Sequence, residues 1–403
     1  MVTGKIQAES EAPREGADAL AACALASVPG MGGAALARVA EMFGSLSAAL
    51  QAGPGALAAK RTDLRLRREA SDFLARGPDL ERLGAWALSA ARAAGARVLT
   101  PAAAGYPALL RAIGNPPAVL YVRGDLAEHP RRVALVGARA ADEAALQLAR
   151  ELAEDLAAAG VQIVSGGARG VDAAAHAGAL WGGGSTIAVM GSGIDLAYPP
   201  ENGPLFERIA AGGGALVSEF PPGTPSTRPN FPRRNRTIAG LSHATVVVRA
   251  SAASGALITA RHAAAQGRPV FAVPGDPAEE LCAGPDQLFS SGRAAPVQCA
   301  EDVLRLLGWP VPEQLAGRRD TLRAARQQVV CLPAPMPVQE ALEGPALRVW
   351  ELLDGARPVH VDALANEAQL RPHEALRFLT ELELKGLIHQ KPGKYFLRSK
   401  GWS

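Results

Sequence analysis

Lysine is nearly missing from this 403-residue chain. Only Lys5, Lys60, Lys385, Lys391, Lys394 and Lys400 occur, so arginine carries nearly all the basic charge. Cysteine is scarce as well: Cys23, Cys282, Cys299 and Cys331 show no C-x-x-C spacing, which signals neither a zinc site nor a disulfide framework. The stretch from Met1 to Gly16 is polar and lacks an apolar core segment, so no signal peptide is expected. No uninterrupted, strongly apolar run approaches membrane-spanning length, because Arg, Asp and Glu interrupt the Ala-rich stretches. A cytoplasmic protein with no membrane partner is the expectation. The pattern G-x-x-x-x-G-K-[ST] does not occur, which excludes a P-loop. There is no G-x-S-x-G, no His-rich metal spacing and no paired carboxylates. A binding protein is therefore expected rather than an enzyme, with no catalytic residue, metal or cofactor.

The composition that remains is that of a globular protein, with 48% hydrophobic and 20% charged residues. Its length suits two to four domains. A net charge of +3 is too small to argue for nucleic acid, so the distribution of charge must carry that case. No Asp or Glu lies between Glu219 and Asp276, whereas Arg228, Arg233, Arg234, Arg236, Arg249, Arg261 and Arg268 all do. Guanidinium forks match phosphate oxygens and stack on bases. Phe231, set among four of these arginines, offers a base-stacking platform. A solvated loop around one buried Phe is the competing account.

Three blocks separate along the chain. Residues 17–96 are helical and Ala-rich, and Leu36, Val39, Ala40 and Phe43 share one helix face. The turn Pro29-Gly30-Met31-Gly32 before that helix resembles a helix-hairpin-helix element, whose glycines let backbone N–H groups reach a phosphate. An ordinary helical hairpin explains it equally well. In residues 97–307, apolar runs at Val133–Val136, Val161–Val164, Thr186–Met190, Ala215–Val217, Ala244–Val248 and Val270–Val273 alternate with helix candidates. Those helices are expected at Ala140–Ala159, Val171–Leu180, Glu201–Ala211 and Leu257–Gln266. This alternation predicts a doubly wound α/β fold, a parallel sheet covered on both faces, with ligands beyond the strand C-termini. A Pro-rich linker, 308–344, contains Pro310, Pro312, Pro333, Pro335 and Pro337. Residues 345–398 read as three helices and a β-wing around Pro392-Gly393, which is a winged helix, with Gly386 stopping its third helix. DNA binding and protein docking are both open to such a unit.

The glycine turns do not make a dinucleotide site. Gly137-Ala138-Arg139 lacks the G-x-G-x-x-G fingerprint, and Gly191-Ser192-Gly193 has only two of its glycines. Ser165 stands where a ribose-binding carboxylate would be needed. Arg139 in a glycine crevice still suits a phosphate. Asp172 and His176 lie four apart on a predicted helix, but with no nucleophile or third ligand they read as structural. Glu219, at a strand end, is placed to brace the neighbouring arginines.

Together these motifs resemble DNA-processing protein A, the Smf/DprA family, over nearly the whole chain. They run from Tyr106-Pro107 and Pro116–Gly124 through Val136–Arg139, Ser165–Asp172 with His176, and Thr186–Val189. Tyr198-Pro199, Ser218-Glu219, Phe231–Arg236, Ser254–Ala260 and Ala272–Gly275 complete the series. The resemblance implies an extended Rossmann domain that binds single-stranded DNA without sequence preference. It also implies homodimers that protect incoming DNA and load RecA recombinase onto it in natural transformation, and leaves room for single-strand-binding protein as a partner. The front unit would be the family's SAM-like or helix-hairpin-helix domain. The family's DNA pocket falls on Arg139, Arg228, Phe231 and Asn235. The surrounding turns and basic stretch extend the expected interface to Gly137, Gly166, Gly167, Arg169, Arg233, Arg234, Ser254, Gly255 and Thr259. Gly167, Arg249, Asp286 and Gly292-Arg293 depart from the family pattern. Arg249 should add charge near the pocket, and the later changes bear on a dimer surface expected around Leu281–Val297. Two other classes compete. One is a nucleoside-phosphate phosphoribohydrolase-type enzyme, whose Gly-Gly-x-Gly-Thr stretch this chain lacks. The other is a winged-helix transcription regulator with an effector-binding Rossmann domain.

Overall fold

A computed structural model describes residues 16–276, 278–317, 344–353, 358–384, 387–391 and 393–398. The polar start before Gly16, Pro333, Pro335 and Pro337 of the expected linker, Gly386 and Pro392 lie outside the described residues. The chain divides into two compact units, Met1–Arg319 and Asp320–Ser403.

The first unit opens with five helices: α1 (residues 16–26), α2 (Gly33–Phe43), α3 (Leu46–Ala59), α4 (Arg68–Ala75) and α5 (Leu80–Ala93). Leu25, Val28, Leu36, Val39, Leu57 and Leu74 make their common core. A second cluster joins Cys23 and Ala87 of this helical block to Tyr121, Met190 and Leu216 of the sheet, so block and sheet are packed as one body.

The sheet has nine strands: β1 (Arg97–Leu99), β2 (Leu120–Gly124), β3 (Arg132–Val136), β4 (Gln162–Ser165), β5 (Thr186–Met190), β6 (Ala215–Ser218), β7 (Ala244–Val247), β8 (Val270–Ala272) and β9 (Ala295–Pro296). Their order is β1-β2-β6-β5-β4-β3-β7-β8-β9. From β6 to β9 every pairing is parallel, and β2 and β1 add an antiparallel edge. Alternation along a strand shows why the runs are continuously apolar. In β3, Ala134 and Val136 enter the core on one face, while Val133 and Leu135 enter the core on the other. Burying each such valine or leucine contributes about 1.5–3 kcal/mol.

Between strands run α6 (Ala108–Arg111), α7 (Glu143–Ala158), α8 (Val171–Trp181), α9 (Gly203–Ala211), α10 (Asn230–Gly240), α11 (Ala256–Ala265), α12 (Ala283–Ser290) and α13 (Ala300–Leu306). The helices expected from the sequence lie at α7, α8, α9 and α11. Helix α10 is not among those expectations. Pro229 is its N-cap and Pro232 sits in its first turn, where no intrahelical N–H is needed, so proline does not block it. Leu288 of α12 is buried in the core and Phe289 packs against the same cluster, so core burial accounts for both residues.

Chain order along the sheet reverses between β3 and β7. Strands β3 to β6 step one way and β7 to β9 step the other. Loops leaving β3 and β7 therefore part, and a crevice opens at their C-terminal ends.

In the second unit, helices Pro345–Glu351, Val361–Glu367 and Pro372–Leu384 pack on a three-stranded sheet of Val359–His360, Tyr395–Arg398 and Ile388–Lys391. Val349, Leu364, Leu379, Ile388 and Phe396 form its core. This is a winged helix.

Candidate nucleic-acid interface

The crevice at the switch point is a cleft of about 760 Å³. Gly137 to Ala140, after β3, form one wall, and Ser251 with Ala253 to Ala256, leading into α11, form the other. Helix α10 closes the third side and decides which of its residues enter. At 100° per residue, Phe231, Arg234, Asn235 and Ile238 share one face, and all four line the cleft. Arg233, Arg236 and Thr237 fall on the opposite face, where all three bind the buried Glu219.

Arg139 and Arg228 are exposed at the cleft mouth, and neither donates a side-chain hydrogen bond or forms an ion pair among the described residues. The Arg139 guanidinium lies 4.4 Å from the centre of the Phe231 ring. Phe231 is half-buried and belongs to none of the hydrophobic clusters of the described residues. Its ring rests on Gly191, where an added Cβ would come within 3.2 Å of it. Tyr198, 47% exposed, stands 6.1 Å from it, centre to centre. Tyr198 and Gly191 are not among the site residues expected from the sequence. Both lie in glycine- or proline-marked turns that follow β5, and those turns are the signal that points to them.

Several expected contact residues hold the cleft together instead of facing a ligand. Arg234 is buried and donates to the carbonyls of Gly166 and Val189, fastening α10 to the ends of β4 and β5. Burial lowers its pKa to about 10, opposed by the carboxylate of Asp172. Gly166 is glycine because the Arg234 guanidinium occupies the space a side chain would need. Asn235 is buried, accepts from Arg234 Nε at 3.2 Å and donates to the Gly255 carbonyl at 3.1 Å, fixing the start of α11. Ser254 caps that turn by accepting from Ala256 N at 3.2 Å, and buried Thr259 lines the floor.

Four expected residues do not line this cleft: Arg233, Gly167, and Gly166 and Arg169, which border a smaller recess beside it. Arg233 turns to the far side of α10, where its Nε donates to Glu219 at 3.1 Å. Gly167 packs against the Phe206 ring of α9, which fills the space of a bulky side chain there. Arg169 is exposed, paired with Glu201, and lines a small adjoining recess under Phe231 and Tyr198. Arg249 also points away: its guanidinium donates to the carbonyls of Val248 and Val273, and it does not line the cleft. The charge is less one-sided than the sequence interval suggests, because Glu280 reaches the rim and Asp172 the floor. Burial raises the Asp172 pKa above the ordinary carboxylate value, opposed mainly by Arg234. His176 is fully buried beside Thr186, and Asp172, buried as well, accepts from Ala168 N at 3.3 Å. Among the described residues no cluster of His, Cys, Asp or Glu could hold a metal ion, and no helix is long and apolar enough to cross a membrane.

These features define a doubly wound α/β protein with a cationic, aromatic-lined cleft at its switch point and a winged-helix unit after it. Comparison with known proteins fixes the family. Residues 97–308 match DNA recombination-mediator protein A, and residues 333–394 match the DprA winged helix domain. The chain is 39% identical to Protein Smf of Escherichia coli over 293 residues, covering 72% of this chain and 74% of that one. It is 35% identical to Protein Smf of Synechocystis over 319 residues, covering 74% and 79%. The solved structure of DNA processing protein A from Streptococcus pneumoniae superimposes with a TM-score of 0.59 at 31% identity, covering 70% of this chain and 95% of that one. The chain belongs to the DprA/Smf family.

Proposed function

We propose that this protein binds single-stranded DNA without sequence preference through the switch-point cleft, and passes the coated strand to RecA recombinase. The observation that carries the first part is that Arg139 and Arg228, with no hydrogen-bond or ion-pair partner for their guanidiniums among the described residues, share one cleft with the half-buried ring of Phe231. Free arginine at a cleft mouth neutralises phosphates, and an aromatic beside it stacks on any base. Duplex DNA keeps its bases stacked on one another, so an aromatic in a recess favours a single strand. Ser254 and Gly255 add the N-terminal end of α11, which favours a phosphate. Family membership, with its recombination-mediator description, supports the RecA step.

Titration of single-stranded against duplex oligonucleotides at several salt concentrations tests the reading. Single strands should bind more tightly, with no preference among sequences. Arg139→Ala and Arg228→Ala should each make the salt slope shallower by about 0.7, the value of one neutralised phosphate on a single strand. Equal affinity for duplex, or a preference for one sequence, would refute it.

A further inference from the structure

The far side of α10 faces a second cleft, of about 880 Å³, between the helical block and the sheet. Its floor is built by the arginines that turned away from the first. Glu219, with only 1% of its side chain exposed, accepts from Arg233 Nε and from an Arg236 terminal nitrogen, each at 3.1 Å. One carboxylate between two guanidiniums leaves an excess positive charge there. The Nε of Arg236 is buried with no acceptor. The opposite wall carries Arg65 and Arg67, both exposed and without a side-chain partner among the described residues. The turn from Pro29 to Gly32 forms the end of the cleft, where α2 begins. The first two amides of α2, on Gly33 and Ala34, find no acceptor among the described residues, and no side chain caps the helix. Glu69 is the one acidic residue lining the cleft among the described residues.

The two clefts meet at the tip of α10. Arg228 lines the first, and the next two residues, Pro229 and Asn230, line the second. We infer that the second cleft is a phosphate track for the same DNA strand, which leaves the first cleft past Arg228 and crosses the tip of α10. There its backbone runs between Arg65 and Arg67 on one side and Arg233 and Arg236 on the other. A polyanion is the fitting occupant because four arginines from two separate elements, the turn before α4 and α10 itself, line one long cleft of about 880 Å³. This inference rests on the single-strand reading of the first cleft.

Oligothymidylates of graded length, titrated against the full chain, test it. Arg65 and Arg67 are exposed, so Arg65→Gln with Arg67→Gln should leave the thermal unfolding curve unchanged. Short strands that fill only the first cleft should bind this double variant as they bind the wild type. Long strands should bind it less tightly, with a salt slope shallower by about 1.4, two phosphates at 0.7 each. The wild type's advantage on long strands should then shrink about sevenfold between roughly 50 and 200 mM salt. An unchanged slope on long strands overturns the second cleft. So does an equal loss on short and long strands. Arg139→Ala, run alongside, separates the two failures: if it leaves binding of every length intact, the reading of the first cleft has failed instead.

Discussion

The Arg139 guanidinium sits over Phe231, 4.4 Å from its ring centre, on a face a base would use. Gly191 backs the ring, and Tyr198 stands beside it. A base can therefore reach the platform in two ways. It stacks on the outer plane of the guanidinium, or it replaces the guanidinium as Arg139 swings to a phosphate. Either way the two residues act as one unit.

That coupling makes a prediction. Phe231→Ala should weaken single-strand binding by about 1–3 kcal/mol while leaving the salt slope unchanged. Combined with Arg139→Ala, the losses should be non-additive by about 0.5 kcal/mol or more, as for residues in contact. Phe231 lies outside the core clusters, so its truncation should cost well under the ~3–5 kcal/mol of a core phenylalanine. Affinity and thermal unfolding measured on the same four proteins check this. Strict additivity, or intact affinity with a collapsed melting temperature, would show that Phe231 is not a base platform.

Much of this architecture is legible in the amino-acid order alone. The β3, β4, β5 and β7 runs are buried on both faces, so they are apolar throughout and stand out between glycine turns. The edge strands β1 and β9 are two or three residues long and leave no comparable trace. The site is legible as a set of residues but not as an arrangement. Arg228, Arg233, Arg234 and Arg236 look alike in the sequence, and their roles part only when α10 sets their phase. Prolines at 229 and 232 hide that helix, because proline marks a break in most contexts and is harmless only in a first turn. Burial hides the rest: nothing in the residue type says that Arg234 serves as a strut while Arg228 stays free.

The strut reading of Arg234 has its own test. Its guanidinium satisfies the Gly166 and Val189 carbonyls and lies in the field of Asp172. Arg234→Ala would strand those carbonyls and leave Asp172 without its counter-charge. Removing one member of a buried charged set costs about 3–5 kcal/mol. Urea denaturation should therefore shift to a markedly lower midpoint. Arg234→Lys should recover only part, because an ammonium cannot reproduce a planar group whose Nη1 meets both carbonyls while its Nε reaches Asn235. If Arg234→Ala unfolds like wild type yet loses DNA, Arg234 is a ligand contact and not a strut.

Acid stability offers a last test, of the floor beneath the cleft. His176 is fully buried, with Nδ1 2.8 Å from Thr186 Oγ1. That hydroxyl donates its proton to the Ile163 carbonyl at 2.8 Å. The ring must then donate through Nδ1, and its Nε2 carries no proton and has no partner. Burial first, and the Arg234 charge second, push the His176 pKa from 6.5 down to about 3. Between those values the unfolded chain binds a proton that the folded chain refuses. The resulting stability is complete above pH 6.5 and is lost as pH falls towards 3. The slope within that window should approach about 1.4 kcal/mol per pH unit. Asp172 works the other way, since a raised carboxyl pKa favours the folded state as pH falls through it. His176→Gln should remove the histidine contribution and flatten the stability curve below pH 6.5, leaving the opposite trend of Asp172 exposed. In the wild type, ring carbon shifts of His176 should keep their neutral values down to about pH 4, where an ordinary histidine is fully protonated. Parallel stability curves for the two proteins, or a ring that titrates near its ordinary pKa, would mean that water reaches His176 and that the cleft floor is open.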